Sequence, residues 1–432
     1  MAASSYKYVV LGGGNASGYA AREFVQRGVG KGELAIITEE PYVAYERPAL
    51  SKAYLFPESP ARLPGFHATV GGGGEKQPPE WYDEKGIDYK TNTKITSVDV
   101  AAKKLTSEAG DTISYEKLIV ATGARPIYLT DFGTQGADLQ GIFYLRNVVD
   151  ADKIVAAIAD AKTKGNRATV IGGGYIGMET AAGLNKNGLD VTIVFPEKHL
   201  MERLFTAEMA AFYEKVYTDK GIKLMPGNIA ASFEGNNGQV TTTVLKSGEK
   251  VEGDIVLVGV GARPNVEMFK GQLELLEERP GGIKVDGNLR TSNPDVYAVG
   301  DIAAFPLKKY GITTRQEHVA NCRASAIHAV QSIMDPSTGE YDYLPYFYSR
   351  VFDLGWQLYG VNENTTPVFF GDPSTKKFGT YFVRDGKVMG AFLEGGSNEE
   401  NALMKKVAVE QPPAPADLAE LGSQGLSFAS KL

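Results

Sequence analysis

Two glycine-rich segments have the residue types and the spacing that bind a dinucleotide. They read Gly12-x-Gly14-x-x-Ser17 and Gly172-x-Gly174-x-x-Gly177. In such a segment the first glycine makes a turn, the second lets the backbone approach a diphosphate, and the third lets a helix pack closely on a strand. The helix N-terminus offers N–H groups and partial positive charge to the diphosphate. Each segment therefore predicts one dinucleotide site.

The surrounding pattern predicts that each glycine segment joins a strand to a helix. Strand–helix–strand units are predicted over residues 6–37 and 167–195, with the two glycine segments 160 residues apart. Further apolar strands, at 117–123, 254–261 and 296–301, end in glycine or in an acid. Ligands bind where parallel strands deliver the chain to a crevice at their carboxyl ends. The sequence thus predicts two Rossmann-like domains.

Acidic residues at the end of the second strand in each unit indicate which dinucleotide is preferred. Glu197 stands 20 residues beyond Gly177, where a carboxylate accepts hydrogen bonds from ribose hydroxyls and repels a 2′-phosphate. This predicts NADH at the second site, with weaker use of NADPH because Arg203 is nearby. At the first site Glu40 is placed for a ribose, with Glu39 as the second choice.

Composition excludes several classes of function. A chain of 432 residues is long enough for two or three domains, and a net charge of −7 without basic blocks argues against a nucleic-acid partner. No apolar run approaches the roughly 20 residues of a membrane span, and the first residues resemble neither a signal peptide nor a presequence. Four histidines do not indicate a metal cluster. We expect a globular protein that is not embedded in a membrane.

The only cysteine, Cys322, bears on both compartment and chemistry. One cysteine cannot form an intramolecular disulfide, which is consistent with a reducing compartment, and it excludes a redox dithiol. The last three residues, Ser430, Lys431 and Leu432, match an address read by the peroxisomal import receptor. The expected location is the peroxisomal matrix, the cytoplasm, or both.

The chain beyond about Tyr341 has a different texture. It is rich in Tyr, Phe and Gly and has period-two stretches at 378–383 and 388–393, which predict a small α+β domain with an antiparallel sheet. A proline-rich connection at 411–415 precedes a predicted closing helix at 417–421.

Several motifs together resemble the pyridine nucleotide disulfide oxidoreductase superfamily with two dinucleotide-binding domains. Besides the glycine segments they are 45–52 (Tyr-Glu-Arg-Pro-Ala-Leu-Ser-Lys), 121–123 (Ala-Thr-Gly) and 297–301 (Tyr-Ala-Val-Gly-Asp). The resemblance implies an α/β, glutathione-reductase-like fold with FAD and a nicotinamide dinucleotide. The implied domains are a discontinuous FAD-binding domain at 1–120 and 252–320, an NAD(P)H-binding domain at 121–251, and a C-terminal domain at 321–432.

Other segments are similar to the monodehydroascorbate reductases of plants and green algae. They are 63–67, 80–82, 203–206, 317–319, the aromatic block 342–350, 352–357 and 390–397. The resemblance implies that a hydride passes from NADH to FAD and that two single electrons then reduce two monodehydroascorbate radicals to ascorbate. Because no dithiol is available, the flavin must reduce its acceptor directly.

The resemblance also implies which residues form the site. Lys52, Arg323 and Tyr348 are the predicted catalytic residues, and Arg323 and Tyr348, with Arg350 as the second choice, are the predicted contacts of the anionic substrate. The predicted cofactor-binding residues are Gly12, Gly13, Gly14, Asn15, Ala16, Glu40, Arg47, Lys52, Ile95, Arg146, Gly172, Gly174, Tyr175, Ile176, Gly177, Glu197, Arg203, Gly261, Asp301, Glu317, His318, Val319 and Tyr348.

Two other functions and two structural roles remain open at this point. An NADH-dependent ferredoxin or rubredoxin reductase would carry a basic docking face, and a flavoprotein similar to apoptosis-inducing factor would turn over NADH slowly. His318 could be a structural hydrogen-bonding residue, and an aromatic block such as 346–348 is more often core than substrate platform.

Overall fold

The computed structural model describes residues 3–432. Met1 and Ala2, which belong to the N-terminal segment predicted to be neither a signal peptide nor a presequence, lie outside the described residues. Two compact units are formed. The first contains residues 3–48, 62–125 and 262–343, and the second contains residues 49–61, 126–261 and 344–432. The three-domain division made from the sequence uses other boundaries and stays a prediction.

Helices flank the sheets of both units. Within residues 3–432 the helices are α1 (Asn15–Gln26), α2 (Pro79–Glu84), α3 (Val148–Ala161), α4 (Tyr175–Lys186), α5 (Ala207–Asp219), α6 (Val319–Met334), α7 (Asn398–Glu410), α8 (Leu418–Gln424) and α9 (Leu426–Ser430). None of these helices combines the length and apolar character needed to cross a bilayer.

Strands form the remaining regular structure. Over the same described range they are β1 (Ala3–Leu11), β2 (Leu34–Ile37), β3 (Asp88–Lys90), β4 (Ile95–Asp99), β5 (Lys104–Ser107), β6 (Thr112–Val120), β7 (Ala124–Pro126), β8 (Ile142–Tyr144), β9 (Arg167–Ile171), β10 (Asp190–Val194), β11 (Lys223–Met225), β12 (Ala230–Asn236), β13 (Gln239–Leu245), β14 (Lys250–Glu252), β15 (Ile255–Val258), β16 (Ala262–Pro264), β17 (Ile283–Lys284), β18 (Val296–Ala298), β19 (Ala303–Leu307), β20 (Ile312–Thr314), β21 (Tyr346–Val351), β22 (Leu354–Gly360), β23 (Thr366–Asp372), β24 (Lys377–Arg384) and β25 (Lys387–Glu394).

The main sheet of the first unit has the order β3-β2-β1-β6-β5-β4, with β18 beside β6. The central strands β2, β1, β6 and β18 are parallel, and β5 pairs antiparallel with β6. Val9, Val10 and all of β2 are buried, as expected for parallel strands that are covered on both faces. The first glycine turn follows β1 and opens α1, which confirms the strand–helix–strand motif predicted at 6–37.

The second unit contains a parallel sheet of order β11-β10-β9-β15-β8, and the second glycine turn follows β9 and opens α4. A separate antiparallel sheet, β12-β13-β14, lies within the same unit. The predicted strand at 167–171 agrees with β9. The predicted helix continued to Asn187, whereas α4 ends one residue earlier with Asn187 as its C-cap.

The C-terminal part of the second unit is an antiparallel sheet of order β21-β22-β25-β24-β23. Helices α7, α8 and α9 contribute Val407, Leu421 and Ala429 to its core, where they pack with Tyr381. The predicted α+β domain is thereby confirmed. The closing helix is α8, which Asp417 caps through the N–H of Ala419.

Candidate functional site

The first glycine turn is shaped for close approach of another chemical group. Gly12 has φ of +121°, and a Cβ on it would lie 2.3 Å from the carbonyl oxygen of Ala121. A Cβ on Gly13 would lie 2.4 Å from Oγ1 of Thr38. Gly14 is the N-cap of α1, so the helix begins at Asn15. Only glycine satisfies the first position, and the helix N-terminus faces the turn, as a diphosphate site requires.

Asn15 supplies a second sign that this turn accepts a ligand. Among residues 3–432, its buried Oδ1 atom has no hydrogen-bond partner. Buried polar atoms are rarely left unpaired, and a bound group explains such cases. Ala16 is buried directly behind the turn. The residues present therefore fit a dinucleotide at this position.

Arg47 lies over the first turn and is paired with Glu40. A Cβ on Gly14 would lie 3.6 Å from Nε of Arg47. Nη2 of Arg47 forms an ion pair with Glu40, and its Nη1 donates to the hydroxyl of Tyr45 at 2.8 Å. The Tyr45 hydroxyl in turn donates to Glu40 at 2.5 Å. The structure thus brings predicted residues 14, 40 and 47 together, while Glu39 is exposed.

Glu46 binds Arg323, the predicted substrate residue. Nη2 of Arg323 lies 2.8 Å from Oε2 of Glu46, which also accepts Nδ2 of Asn15 at 2.6 Å. The hydroxyl of Tyr19 donates to Oε1 of Glu46 at 3.0 Å. Burial raises the pKa of the Tyr19 hydroxyl well above its ordinary value, and the charge of Glu46 raises it further, so this tyrosine stays a donor. A buried carboxylate therefore collects three donors within the first unit.

The start of α6 is built mainly by local hydrogen bonds. Asp301 follows β18, and its carbonyl oxygen accepts Nη1 of Arg315 at 2.9 Å. Arg315 also pairs with Glu317 at 2.6 Å. His318 is the N-cap, and its Nδ1 accepts the N–H of Ala320 at 3.3 Å. His318 therefore has a structural role, and its predicted contact with a cofactor stays a prediction, as does that of Val319 at the start of the helix.

The second glycine turn repeats the geometry of the first. Gly172 has φ of +115°, and its Cβ would lie 2.3 Å from the carbonyl oxygen of Gly259. A Cβ on Gly177 would lie 1.9 Å from the carbonyl oxygen of Gly172. Around Gly174, in contrast, an added Cβ would meet nothing within 4 Å. This turn is closed at both ends and open in the middle, which fits a diphosphate.

The other predicted nucleotide residues of the second unit are more dispersed. Ile176 is 36% exposed and lies at the start of α4. Glu197 is partly buried beyond β10, and the side chain of Arg203 is exposed. Gly261 has φ of +118°, a conformation that favours glycine. The ring of Tyr175 packs at 5.6 Å from that of Trp356, and burial raises the pKa of the Tyr175 hydroxyl well above its usual value.

Glu179 of α4 gathers donors around Lys52, the predicted catalytic cation. Nζ of Lys52 lies 2.7 Å from Oε2 of Glu179, which also accepts the hydroxyl of Ser51 at 2.5 Å. The hydroxyl of Ser349 donates to Oε1 at 2.6 Å. Glu179 is 5% exposed, so it is a buried carboxylate with an ammonium as its countercharge. Lys52 is held in one place instead of moving freely at the surface.

The aromatic strand β21 presents two faces. Tyr348 and Arg350 lie on one face and Ser349 on the other, because side chains alternate along a strand. Ser349 is buried, whereas Arg350 is exposed and Tyr348 is partly buried. The ring of Tyr348 stacks at 5.8 Å on that of Tyr346. The stack fixes the orientation of the predicted substrate tyrosine.

The predicted residues are divided between the two units. Arg323, Arg47 and the buried Ile95 belong to the first unit. Tyr348, Arg350, Lys52 and Arg146 belong to the second, where the N–H of Arg146 donates to Asp150 at 3.1 Å just before α3.

Comparison with known proteins decides the family. A family model described as pyridine nucleotide-disulphide oxidoreductase matches residues 6–326. A second model, described as the C-terminal domain of monodehydroascorbate reductase 3-like proteins, matches residues 344–429. A monodehydroascorbate reductase of Pisum sativum is 55% identical over 99% of each chain. The chain belongs to the monodehydroascorbate reductase family.

Other members of the family cover the chain completely. A protein of Arabidopsis thaliana named monodehydroascorbate reductase 1, peroxisomal, is 55% identical over 100% of each chain. One of Oryza sativa subsp. japonica named monodehydroascorbate reductase 4, cytosolic, is 53% identical over 100% of each. A crystal structure of a ferredoxin reductase from Rhodopseudomonas palustris has a TM-score of 0.85 with 27% identity and covers 96% of this chain and 99% of its own. Family membership confirms the predicted enzyme class, and it makes a flavin and a pyridine nucleotide the cofactors.

Glu46 and Glu179 were not predicted as parts of the site. Each is nevertheless the buried carboxylate that pairs with a predicted catalytic cation: Glu46 pairs with Arg323, and Glu179 pairs with Lys52. Both acids are distant in sequence from most of their partners. A signal was nevertheless present for Glu179, since an acid on the buried face of a helix needs a partner. Glu46 immediately precedes Arg47 in the motif at 45–52.

Proposed function

We propose that this protein reduces the monodehydroascorbate radical to ascorbate with electrons from NADH. The observation that carries the proposal is the combination of two dinucleotide-shaped glycine turns with a single cysteine. A reductase that relays electrons through a dithiol needs two cysteines, so electrons in this chain must leave the flavin directly. Identity of 55% to named monodehydroascorbate reductases supports the radical as the acceptor over ferredoxin, because the ferredoxin reductase is only 27% identical.

The flavin supplies the required change in electron number, since it accepts a pair and can release single electrons. The chain supplies binding and charge. The first turn, with Arg47 over it, would hold the FAD diphosphate, and the second turn would hold the nicotinamide dinucleotide. Lys52 would stabilise negative charge that develops on reduction, and Glu179 keeps the ammonium in place.

Arg323 and Tyr348 are the proposed contacts of the substrate, with Arg350 as the alternative. The radical is a small anion, and a guanidinium binds carboxylate-like and enolate oxygens through directed hydrogen bonds. Arg323 already pairs with one anionic oxygen, that of Glu46, at 2.8 Å. A guanidinium has five N–H donors in a plane, so it can serve two anions at once.

We further propose a preference for NADH. Glu197 is partly buried and follows β10, the second strand of the strand–helix–strand motif. A carboxylate at this position accepts hydrogen bonds from both ribose hydroxyls and repels a 2′-phosphate. The exposed side chain of Arg203 would allow weaker use of NADPH.

Import into peroxisomes through the last three residues is also a proposal. Ser430, Lys431 and Leu432 are exposed, which supports receptor access. Fusion of a fluorescent protein in front of the full chain, with and without these residues, tests the import. Punctate fluorescence that persists without them would contradict the proposal.

A steady-state assay tests the main proposal. Ascorbate oxidase and ascorbate generate the radical, and oxidation of NADH is followed by the loss of its near-ultraviolet absorbance. We expect oxidation to depend on ascorbate oxidase and to consume about two radicals per NADH, since the radical takes one electron. A rate independent of ascorbate oxidase, or a faster rate with ferredoxin, would overturn the proposal.

A further inference from the structure

We propose that Glu46 is a positioning residue that couples the first glycine turn to the substrate arginine. Its carboxylate holds Asn15, the first residue after the turn, and Arg323 on α6 at the same time. The inference rests on the proposed function, because Arg323 is the proposed contact of the radical. Glu46 itself need not touch the substrate.

The contacts of Glu46 with Asn15 and with Arg323 share one carboxylate oxygen. Oε2 of Glu46 accepts Nδ2 of Asn15 at 2.6 Å and Nη2 of Arg323 at 2.8 Å. Oε1 accepts the hydroxyl of Tyr19 at 3.0 Å. Tyr19 belongs to α1 and Arg323 to α6, so the carboxylate ties these two helices to the segment that carries Glu46. A change in its charge must affect the turn and the arginine together.

Burial of the Glu46–Arg323 pair restricts the orientation of the guanidinium. Glu46 is 6% exposed and Tyr19 is 2% exposed. A buried carboxylate without a countercharge is costly, so the guanidinium of Arg323 is required beside it. The ring of Tyr19 lies 5.5 Å from the guanidinium carbon and adds a second contact. Arg323 therefore has one preferred orientation instead of the many rotamers of a surface arginine.

Two other glycines, Gly71 and Gly72, lie directly against the cluster of Glu46, Arg323 and Tyr19. A Cβ on Gly71 would lie 2.4 Å from Nη2 of Arg323 and 2.9 Å from the carboxyl carbon of Glu46. A Cβ on Gly72 would lie 2.1 Å from the hydroxyl of Tyr19. The backbone of residues 71–72 thus packs where a side chain would push the guanidinium aside. Gly71 offers an independent way to disturb Arg323 without changing Glu46.

Glu46→Gln removes the charge and keeps the shape. Positioning predicts that the KM for monodehydroascorbate rises by about ten-fold while kcat changes by less than about two-fold, because one oriented charge-assisted hydrogen bond is lost. Simple electrostatics predicts the opposite, since removing a negative charge beside the site should lower the KM for an anion. The direction of the KM change separates the two accounts.

The experiment measures NADH oxidation by four purified holoproteins: the wild type, Glu46→Gln, Gly71→Ala and, as the matched control, Glu84→Gln, which alters an exposed acid of the same unit. The acceptors are the radical and a neutral quinone. We expect both Glu46→Gln and Gly71→Ala to raise the KM for the radical while the quinone rate stays at the wild-type value. If Glu46→Gln fails to fold, Gly71→Ala still carries the test.

Release of FAD on heating, followed by fluorescence, reports the Asn15 side of the coupling. We expect release at a lower temperature in Glu46→Gln and at the wild-type temperature in Glu84→Gln. An unchanged or lowered KM for the radical in Glu46→Gln, or equal losses with radical and quinone, would overturn the inference. A wild-type protein that is inactive with the radical overturns the proposed function itself and the inference with it.

Discussion

The two units each place one buried carboxylate beside a predicted catalytic cation, yet they do so with different partners. In the first unit, Glu46 holds Arg323 together with Asn15 and Tyr19. In the second, Glu179 holds Lys52 together with two serine hydroxyls. A guanidinium has donors on several edges and can contact a carboxylate and a second anion. An ammonium is a point charge on a flexible stem, and a buried partner is what fixes its position.

The glycine turns differ in a related way. In the second turn, a Cβ at Gly177 would lie 1.9 Å from the carbonyl oxygen of Gly172, so the third position must be glycine. The first turn has Ser17 there, and its hydroxyl donates to the carbonyl oxygen of Gly14 at 2.6 Å. Gly18 takes over the close approach, since its Cβ would lie 2.6 Å from Cβ of Ala68. The third position of the first turn is therefore tied by a side-chain hydrogen bond, whereas that of the second turn packs against backbone.

The largest effect is expected from Arg323→Ala. The change removes the proposed substrate contact and leaves Glu46 buried without its countercharge, so kcat/KM for the radical should fall by at least about 100-fold. Steady-state kinetics with the radical and with a neutral quinone measure this. Arg290→Ala, at an exposed arginine of the same unit, is the control. A loss below about three-fold would remove Arg323 from the site, and a large loss in Arg350→Ala would put that residue in its place.

Lys52→Met should have the next largest effect. It takes the ammonium away from Glu179, and we expect reduction of the flavin by NADH to slow by roughly 10- to 100-fold, somewhat less than the loss of one preorganised oxyanion-hole donor costs. Stopped-flow bleaching of the flavin absorbance measures the step. Lys153→Met, at an exposed lysine of α3, should match the wild type. An unchanged rate of bleaching in Lys52→Met would show that the pair of Lys52 and Glu179 has only a structural role.

Glu197→Gln should change cofactor choice more than rate. Loss of the carboxylate removes repulsion of a 2′-phosphate, so the ratio of kcat/KM for NADH to that for NADPH should fall by about ten-fold. The ratio is measured with saturating radical, and Glu202→Gln, at a nearby exposed acid, is the control. An unchanged ratio would move the preference away from the second turn.

The smallest effect concerns Glu394, a buried carboxylate that accepts the hydroxyl of Tyr213 and the N–H of Gly355. Burial raises the pKa of Glu394 above its ordinary 4.5, against the effect of these donors. The folded state therefore prefers the protonated form, and the stability present at lower pH is lost as pH rises from about 4.5 through the folded-state pKa. Glu394→Gln should flatten this dependence of the free energy of unfolding on pH, which urea unfolding at several pH values measures. A slope identical to that of the wild type would contradict the assignment.

The repeated strand–glycine–helix pattern made the two nucleotide-binding folds predictable, because Gly12 and Gly172 have backbone conformations that only glycine adopts readily. Helix α7 was not predicted, although Ser397 and Glu400 form a capping box that is readable as Ser-x-x-Glu. The buried acids were missed for a different reason. Arg323 lies 277 residues from Glu46, and no local pattern encodes a contact at that separation.

Reoxidation of the reduced flavin shows most directly whether the radical is the acceptor and Arg323 its contact. Protein reduced with one equivalent of NADH is mixed in a stopped-flow instrument with monodehydroascorbate freshly generated by ascorbate oxidase, and return of the flavin absorbance is recorded for the wild type and for Arg323→Ala. We expect the radical to reoxidise the wild type much faster than dissolved oxygen does, and Arg323→Ala to lose most of this advantage. Reoxidation of the wild type by the radical no faster than by oxygen would contradict this expectation.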